Sequence, residues 1–438
     1  MKNNNQRSKM EDLLETQVEP TRSIMMMEKV GKRLGWNKEA ITELINPQEI
    51  IILRLPVRFL GKVVVFWGCI SLHNNARGPY KGGIRISPDV SIWETVELSR
   101  LMTLKTALTE VEFGGGKTGI RVDFPEIHRR FNKKERDVNF EKVLALDVCE
   151  EFAQRAKQYL VNRTYIPAPD MGTGPEEMAF IYNQTLDPAS VTGKPEGIHG
   201  WLPGRKESTG YGCSYITLRF IQDIMNLKLE QTRVAIQGFG NVGSYLAKYL
   251  SENKVKVVAV SDIYGGIYDE RGLDIEQLMK YNVEHGTIKG FVPKDISNQE
   301  LLALDVDVLI PAASSNVLNH ANSHEVKAKL IVEAANAPIT YEAMEILDQK
   351  KVMIIPDILA NSGGVIASME EYSRSLSAIK IKKVDVFKII AEKLAGALEG
   401  IYEKNKTEKI SYPEAAIEIS MKKIYDAMVN RRQISVLG

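Results

Sequence analysis

The hexapeptide Gly238-Phe239-Gly240-Asn241-Val242-Gly243 constrains the fold more than any other stretch, because glycines at these spacings act together only between a strand and a helix. Both flanks are present. Arg233 to Gln237 reads as a strand, and Leu246 and Leu250 continue an apolar helical face beyond the glycines. In that setting the first glycine permits a tight turn, the second admits a pyrophosphate, and the third lets helix pack on strand, while the helix N-terminus offers N–H groups to the anion. Asp262 follows the next strand, Lys256 to Val260. Since 262 minus 243 is 19, it stands close to where such folds place a ribose-binding acid. An aspartate there accepts from a 2′-OH and repels a 2′-phosphate. The next basic residue, Arg271, lies beyond an expected turn at Gly265-Gly266. NAD is therefore expected as the cofactor ahead of NADP, with NADP as the alternative.

Further strand-like runs at Val306 to Ile310, Leu330 to Glu333 and Val352 to Ile355 alternate with stretches long enough for crossovers, as in a parallel sheet. Before about residue 205 the texture differs. Helical spacing of Ile24, Met27, Val30 and Leu34 over 21–45 gives way to strands at Ile50 to Leu55 and Val63 to Ile70. Helices are then expected from Ile92 to Thr109 and over 139–160. A chain of 438 residues has room for two or three cored domains.

Lys plus Arg total 57 against 56 for Asp plus Glu, so no global field favours nucleic acid or a membrane surface as partner. Cys69, Cys149 and Cys213 are odd in number and widely spaced, matching no metal or redox motif, which suits a reducing, cytoplasmic setting. His320 and His324 are four apart, but H-E-x-x-H needs Glu where Ala321 stands, so no metal is expected. No apolar run reaches the ~18 residues of a membrane helix. Met1 to Lys9 is polar without an apolar core and reads as a frayed arm, not a secretory signal.

Gly114-Gly115-Gly116-Lys117-Thr118-Gly119 suggests at first a phosphate-binding loop. The spacing rejects this, because the first motif glycine would fall at Val111 and a strand-like run, Ile120 to Phe124, replaces the required helix. Lys117 in this glycine loop thus needs another task. Lys81 lies among glycines in the turn-rich segment Asn74 to Gly83. Lys105 stands near the end of the expected helix, where a cation is favourable by itself at roughly 0.3–1 kcal/mol. Asp170 sits in the stiff segment Tyr165-Ile166-Pro167-Ala168-Pro169-Asp170, where it could simply cap a turn.

Eight stretches in order carry a resemblance: ARGPYKGGIR (Ala76 to Arg85), MTLK (Met102 to Lys105), GGGKTG, PAPDMGTG (Pro167 to Gly174), ESTGYG (Glu207 to Gly212), QGFGNVG (Gln237 to Gly243), EAANAPIT (Glu333 to Thr340) and NSGGVIAS (Asn361 to Ser368). From about residue 20 onward the chain resembles the glutamate dehydrogenases of the Glu/Leu/Phe/Val dehydrogenase family. The resemblance implies an α/β protein: a mixed α/β substrate and assembly domain over 1–205, a Rossmann-type dinucleotide-binding domain over 206–412, a cleft between them, and a helix in about 413–438 packing back on the first. It also implies roles. Lys117 is the catalytic lysine and Asp170 the proton shuttle; Lys105 holds the substrate α-carboxylate and Lys81 the distal one. Ser368 hydrogen-bonds that distal carboxylate, Val365 packs on the methylenes, and Gly82 and Ala168 line the same site. Thr209, Asn336 and Asn361 lie by the cofactor, beside Gly238 to Gly243 and Asp262.

The implied reaction is oxidative deamination of glutamate to 2-oxoglutarate and ammonium, by a homohexamer. Its chemistry needs a hydride acceptor, a group that takes the substrate's proton, and a base for the water that hydrolyses the imine. Lysine serves as that base only if its pKa falls. Two ammonium groups ~4 Å apart at an effective dielectric near 20 repel by roughly 4 kcal/mol, an upper bound of about 3 pKa units. Glutamate is favoured over leucine, phenylalanine or valine because Lys81 and Ser368 are polar where relatives using apolar substrates carry apolar residues. A branched-chain or aromatic amino-acid dehydrogenase and a catalytically silent regulatory relative are the rival expectations. Three places depart from the usual family forms: Thr118, where GGGKGG is the common loop; His199 to Lys206; and the MEEYSRS run after Ser368.

Overall fold

The computed structural model describes residues 20–377 and 379–434. The polar arm Met1 to Lys9 and the end of the 413–438 segment lie outside the described residues. Contacts divide the chain into two compact units. The first runs to Pro203 and includes Ser368–Lys382 and the chain from Ser420 onward; the second is Gly204–Ala367 with Lys383–Ile419.

In the first unit five strands form one sheet: β1 (Glu49–Phe59), β2 (Lys62–Asn74), β3 (Tyr80–Ser87), β4 (Gly114–Arg121) and β5 (Tyr165–Pro169), in the order β1-β2-β4-β3-β5. β1 and β2 form a hairpin whose two turn residues, Leu60 and Gly61, both have positive φ, the geometry that matches strand twist. β4 is antiparallel to β2 and parallel to β3, and β5 adds parallel to β3 at the edge. The edge position explains how Pro167 and Pro169 fit a strand, since a missing N–H there breaks no ladder. Leu55, Phe66, Ile70, Ile84, Phe140 and Phe152 belong to the core of this unit.

Two expectations about this sheet change. The Gly114 to Gly119 stretch is not a loop but the start of a central strand, and Lys81 lies in β3 rather than in a turn. The glycines are there because neighbours crowd the strand. A Cβ at Gly115 would lie 2.3 Å from the Ser99 carbonyl oxygen, and one at Gly116 2.9 Å from the Tyr165 ring. The helix expected over 21–45 is also two, Arg22–Arg33 and Lys38–Ile45, separated where Gly35 takes φ +72° and the Asn37 side chain caps the second.

The second unit has seven strands: β6 (Arg233–Gln237), β7 (Lys256–Asp262), β8 (Gly265–Tyr268), β9 (Asp295–Ile296), β10 (Val308–Pro311), β11 (Leu330–Val332) and β12 (Met353–Ile355). Their order is β12-β11-β10-β6-β7-β8-β9, parallel from β12 to β7 and antiparallel for the last two. Strand order reverses between β6 and β10, which makes that boundary the switch point of an open α/β sheet. Gly265-Gly266, expected as a turn, opens β8 instead. β8 is short and opens on two glycines, and β9 has only two residues, so neither registers as a strand in sequence.

The contact division puts its first boundary at 203/204 and also divides two helices. The helix Gly363–Ser375 belongs to the second unit up to Ala367 and to the first from Ser368, because the Glu371 carboxylate accepts from the N–H groups of Gly193 and Lys194. The last helix, Tyr412–Asn430, is likewise divided at Ser420. Tyr412 packs edge-on against Phe220 in the second unit, whereas Tyr425 stacks on Trp36 in the first. Among the described residues no helix is long and apolar enough to cross a membrane.

Candidate active site

Side chains alternate across a strand, so register decides which residues meet. On β3, Lys81 stands opposite Gly115 and Arg85 opposite Gly119, with Lys117 midway between those glycines on β4. Lys81, Arg85 and Lys117 therefore share one face. The helix Ile92–Leu108 covers it. A Cβ on Gly119 would meet Thr95, and one on Gly115 would meet Thr103. The helix thus runs from the Arg85 end of the face toward the Lys81 end, and Lys105, in its last turn, lies beyond the residues over Gly115. Lys81, Lys105 and Lys117 are all buried, at 1%, 4% and 5% exposure, a placement lysine adopts only where chemistry or pairing compensates.

Asp170 follows directly on β5 and turns its carboxylate toward this face. A Cβ on Gly83 would lie 2.6 Å from the Asp170 Cβ, so the absence of a side chain there makes room for the acid. Lys117 Nζ donates to Asp170 Oδ2. Asp170 Oδ1 accepts from the Met171 N–H at 2.7 Å and lies 3.6 Å from Arg85 Nη2. Burial pushes the Lys117 amine below the ordinary lysine range; Asp170 pulls it back up and Arg85 lowers it again. For Asp170 burial acts upward, but Lys117 and Arg85 together outweigh it and hold the carboxyl well below the usual range. The site thus combines an ionised acid with an amine biased toward its neutral form.

Gly82 and Ala168 lie on the strands flanking this pair, and Gly82 admits no side chain because a Cβ would lie 1.6 Å from the Gly116 carbonyl oxygen. Ser368 is buried at the start of the first unit's share of the helix Gly363–Ser375. One turn on, Tyr372 packs edge-on against Phe113, the residue before β4. Val365 is half-buried and belongs to the second unit. Arg85 and its partner Glu94 escape the motif reading. The signal was present, because 81, 83 and 85 repeat with the strand period.

In the second unit the three motif glycines meet three distinct demands. Gly238 has φ +100° and faces the backbone of Ala312 and Ala313 across the switch point. Above Gly240 there is open space, and a Cβ on Gly243 would lie 1.9 Å from the Gly238 carbonyl oxygen. Phe239 is buried in this turn, and the helix Asn241–Glu252 starts at Asn241 and Val242 with Gly240 as its cap. Asn361 Nδ2 donates to the Ala334 and Ala335 carbonyls and to Asn336 Oδ1, each at 3.2 Å, while its Oδ1 is buried without a hydrogen-bond partner among the described residues. Thr209 lies against Gly364 at the start of the next helix. The open glycine turn and the orphaned amide oxygen fit a dinucleotide that ends in a carboxamide.

Asp262 is less free than its spacing suggests. Its Oδ1 accepts from the Tyr264 N–H at 2.7 Å, and its Oδ2 accepts from Thr287 Oγ1 at 2.6 Å and the Ile288 N–H at 2.9 Å. Such a carboxylate has little acceptor capacity left.

Comparison with known proteins agrees with this geometry. Residues 47–187 match the profile of the Glu/Leu/Phe/Val dehydrogenase dimerisation domain, and residues 200–432 that of glutamate/leucine/phenylalanine/valine dehydrogenase. The chain is 38% identical over 405 residues to an NADP-specific glutamate dehydrogenase of Saccharolobus shibatae, covering 91% of this chain and 92% of that one. It is 36% identical over 402 residues to an NAD-specific glutamate dehydrogenase of Staphylococcus aureus, covering 90% and 94%. Those relatives divide between the two cofactors. Among solved structures, a hetero-hexameric glutamate dehydrogenase from Thermus thermophilus, in its leucine-bound form, superposes with a TM-score of 0.85 at 27% identity over 96% of this chain and 99% of that one. The glutamate dehydrogenase of Peptoniphilus asaccharolyticus does so at 0.77 and 29%, over 94% and 99%. With both domain profiles matched and these relatives spanning nine-tenths of its length, the chain belongs to the Glu/Leu/Phe/Val dehydrogenase family.

Proposed function

We propose that the chain catalyses the reversible oxidative deamination of L-glutamate to 2-oxoglutarate and ammonium, with NAD as the preferred cofactor. One observation carries the reading: the buried Lys117 amine meets the Asp170 carboxylate on the sheet face that Lys81 shares. A bound nicotinamide supplies the acceptor for the hydride on the substrate Cα. Gly238 to Gly243, Asp262, Thr209, Asn336 and Asn361 are the residues that would hold it. Lys105 pairs with the α-carboxylate, Lys81 and Ser368 hold the distal carboxylate, Val365 packs on the methylenes, and Gly82 and Ala168 line the site. Asp170 takes the proton that the substrate ammonium must lose. Lys117, as a neutral amine, takes a proton from the water that adds to the imine carbon, and Asp170 returns a proton to the departing nitrogen.

Support for NAD comes from Asp262, whose charge opposes a 2′-phosphate even though most of its acceptor sites are engaged. A cytoplasmic homohexamer that needs no nucleic acid or membrane partner completes the proposal. The Thermus thermophilus neighbour is named as a hetero-hexamer, which supports sixfold association. Light scattering on the purified chain alone tests whether identical subunits suffice.

Initial rates with glutamate, leucine and phenylalanine, each with NAD and NADP, test the assignment, and glutamate with NAD is expected to give the highest kcat/KM. In Lys81→Leu, losing one charge-assisted contact worth about 1.5–3 kcal/mol should lower kcat/KM for glutamate roughly 10- to 150-fold. Near wild-type values in that variant would end the glutamate assignment.

A further inference from the structure

Asp170 has two cations beside it, and only one belongs to the roles described above. Lys117 Nζ meets Oδ2, and the guanidinium of Arg85 lies 3.6 Å from Oδ1. Arg85 is itself tied down, since its other terminal nitrogen, Nη1, donates to Glu94 Oε1. Glu94 is held in turn at the start of the helix Ile92–Leu108, where its N–H donates to the Ser91 cap at 3.1 Å and a carboxylate is favoured by the helix dipole. The four side chains form a continuous row, Lys117–Asp170–Arg85–Glu94, with alternating charge. They come from β4, the end of β5, β3 and the covering helix. The Arg85 side chain is 15% exposed, so its charge is weakly screened.

We propose that Arg85 is a positioning residue of the reaction: anchored by Glu94, its guanidinium holds one oxygen of Asp170 and divides that carboxylate between two cations, so that Asp170 cannot lock Lys117 into a closed ion pair. The proposal rests on the reading of Lys117 and Asp170 given above.

The physical logic is a competition for one negative charge. If Asp170 faced Lys117 alone, the pair would hold Lys117 as an ammonium, which is useless as a base. A second cation on the far oxygen weakens that grip and keeps Asp170 ionised. Arg85 suits the task because a guanidinium stays charged and its fork reaches two carboxylates at once. The directions at Lys117 agree, with burial and Arg85 both lowering the amine while Asp170 raises it. Other titratable groups around the row act from neighbouring elements. Lys81 on β3 shares the same face, and Lys105 lies in the last turn of the covering helix. Burial pushes the Tyr165 hydroxyl on β5 up, with Asp170 adding to the rise. Burial also raises the Cys69 thiol on β2 to about 11, and its hydrogen bond to Thr95 lowers it in part. Both remain neutral through the working range.

Two readouts on the full-length chain test this. The first is competitive acetylation of lysines as a function of pH, followed peptide by peptide by mass spectrometry, which reports the neutral fraction of Lys117 without needing turnover. In Arg85→Gln the midpoint for Lys117 should move about one pH unit higher than in the wild type, with the exposed Lys289 as an unmoved internal control. Arg85→Lys, which keeps the charge, should return most of the shift. The second readout is the pH profile of kcat/KM for glutamate, whose rising limb should move in the same direction. An Arg85→Gln enzyme that is slower but has unmoved acetylation and rate midpoints would overturn the proposal and leave Arg85 a structural residue. If Arg85→Gln does not fold, Arg85→Met keeps the length and apolar bulk of the side chain without its charge, and an unmoved Lys117 midpoint there counts equally against the idea. A wild type that does not turn over glutamate, yet whose Lys117 midpoint shifts with Arg85, would sink the assigned reaction and spare the positioning role.

Discussion

Two buried lysine–carboxylate pairs of the first unit differ in a way that separates structure from chemistry. Lys194 and Glu371 have no exposed side-chain surface, and every strong valence is used. Lys194 Nζ meets Glu371 Oε1 at 2.9 Å, the Val191 carbonyl at 2.8 Å and Ser375 Oγ at 3.1 Å, while the Gly193 and Lys194 N–H groups both donate to Glu371. Lys117 has one acceptor among the described residues, Asp170, whose side chain is 20% exposed. A buried ammonium with three acceptors is a fastener. One with a single acceptor beside a second cation is held in a state that folding does not favour, which is the usual signature of a working group.

The sharpest way to break this contrast is to remove each lysine with the nearly isosteric methionine. Lys117→Met should lower kcat for glutamate by about 10³- to 10⁴-fold, the upper range for loss of a general base. Its thermal midpoint should stay level or rise, since a poorly compensated buried charge has gone. Lys194→Met should do the reverse. It leaves Glu371 buried without its cation, at a cost of about 3–5 kcal/mol in chemical denaturation. Replacing both partners, Lys194→Met with Glu371→Gln, removes the uncompensated charge while keeping an amide oxygen for the Gly193 and Lys194 N–H groups, and should recover a good part of that loss. If Lys117→Met were the less stable protein, or if Lys194→Met lost activity with its denaturation curve unchanged, the assignment of the two pairs would have to be exchanged.

How each pair could be found from sequence follows from the same contrast. The glycine motif at 238–243, its strand and its helix were legible because their purpose is local: Gly243 answers to Gly238 and Gly238 to the backbone across one strand, while Gly240 keeps the turn open. The helix from Ile92 was also legible, with Ser91 accepting from the Glu94 N–H as its cap. Gly114 to Gly119 was misread as a loop. Low strand propensity signals flexibility in isolation, yet here it reflects crowding by Ser99, Thr103 and Tyr165. The Lys117–Asp170 contact has no local signal, since nothing local says that a residue after Pro169 faces a lysine 53 positions earlier; only the family motifs point to both residues. Lys194 and Glu371, 177 residues apart at the Lys194 N–H contact, carry no local signal at all. Arg85 had a partial one, the alternation with Lys81, but its contact with Asp170 depends on how β5 ends.

Thr118 gives the smallest expected effect and tests whether the two faces of β4 are independent. It follows Lys117, so strand alternation sends its side chain to the other face, where it is fully buried and its hydroxyl donates to the Tyr165 hydroxyl at 3.0 Å. Tyr165 in turn donates toward the Gly82 and Gly83 carbonyls, at 3.2 and 3.4 Å. The residue that departs from the usual glycine therefore joins β4 to β5 beneath the Lys117–Asp170 pair. Thr118→Val removes the hydrogen bond while keeping the branched shape, and should cost about 1 kcal/mol in denaturation. Thr118→Gly adds the backbone entropy of a glycine in a strand, bringing the total to roughly 2 kcal/mol. Because the hydroxyl points away from Lys117, kcat for glutamate in Thr118→Val should stay within about threefold of wild type, a change of under ~1 kcal/mol in the barrier. A larger fall in kcat at unchanged stability would mean that the Tyr165 side of the sheet transmits to the Lys117 side, and that this strand departs from the GGGKGG form for a catalytic reason.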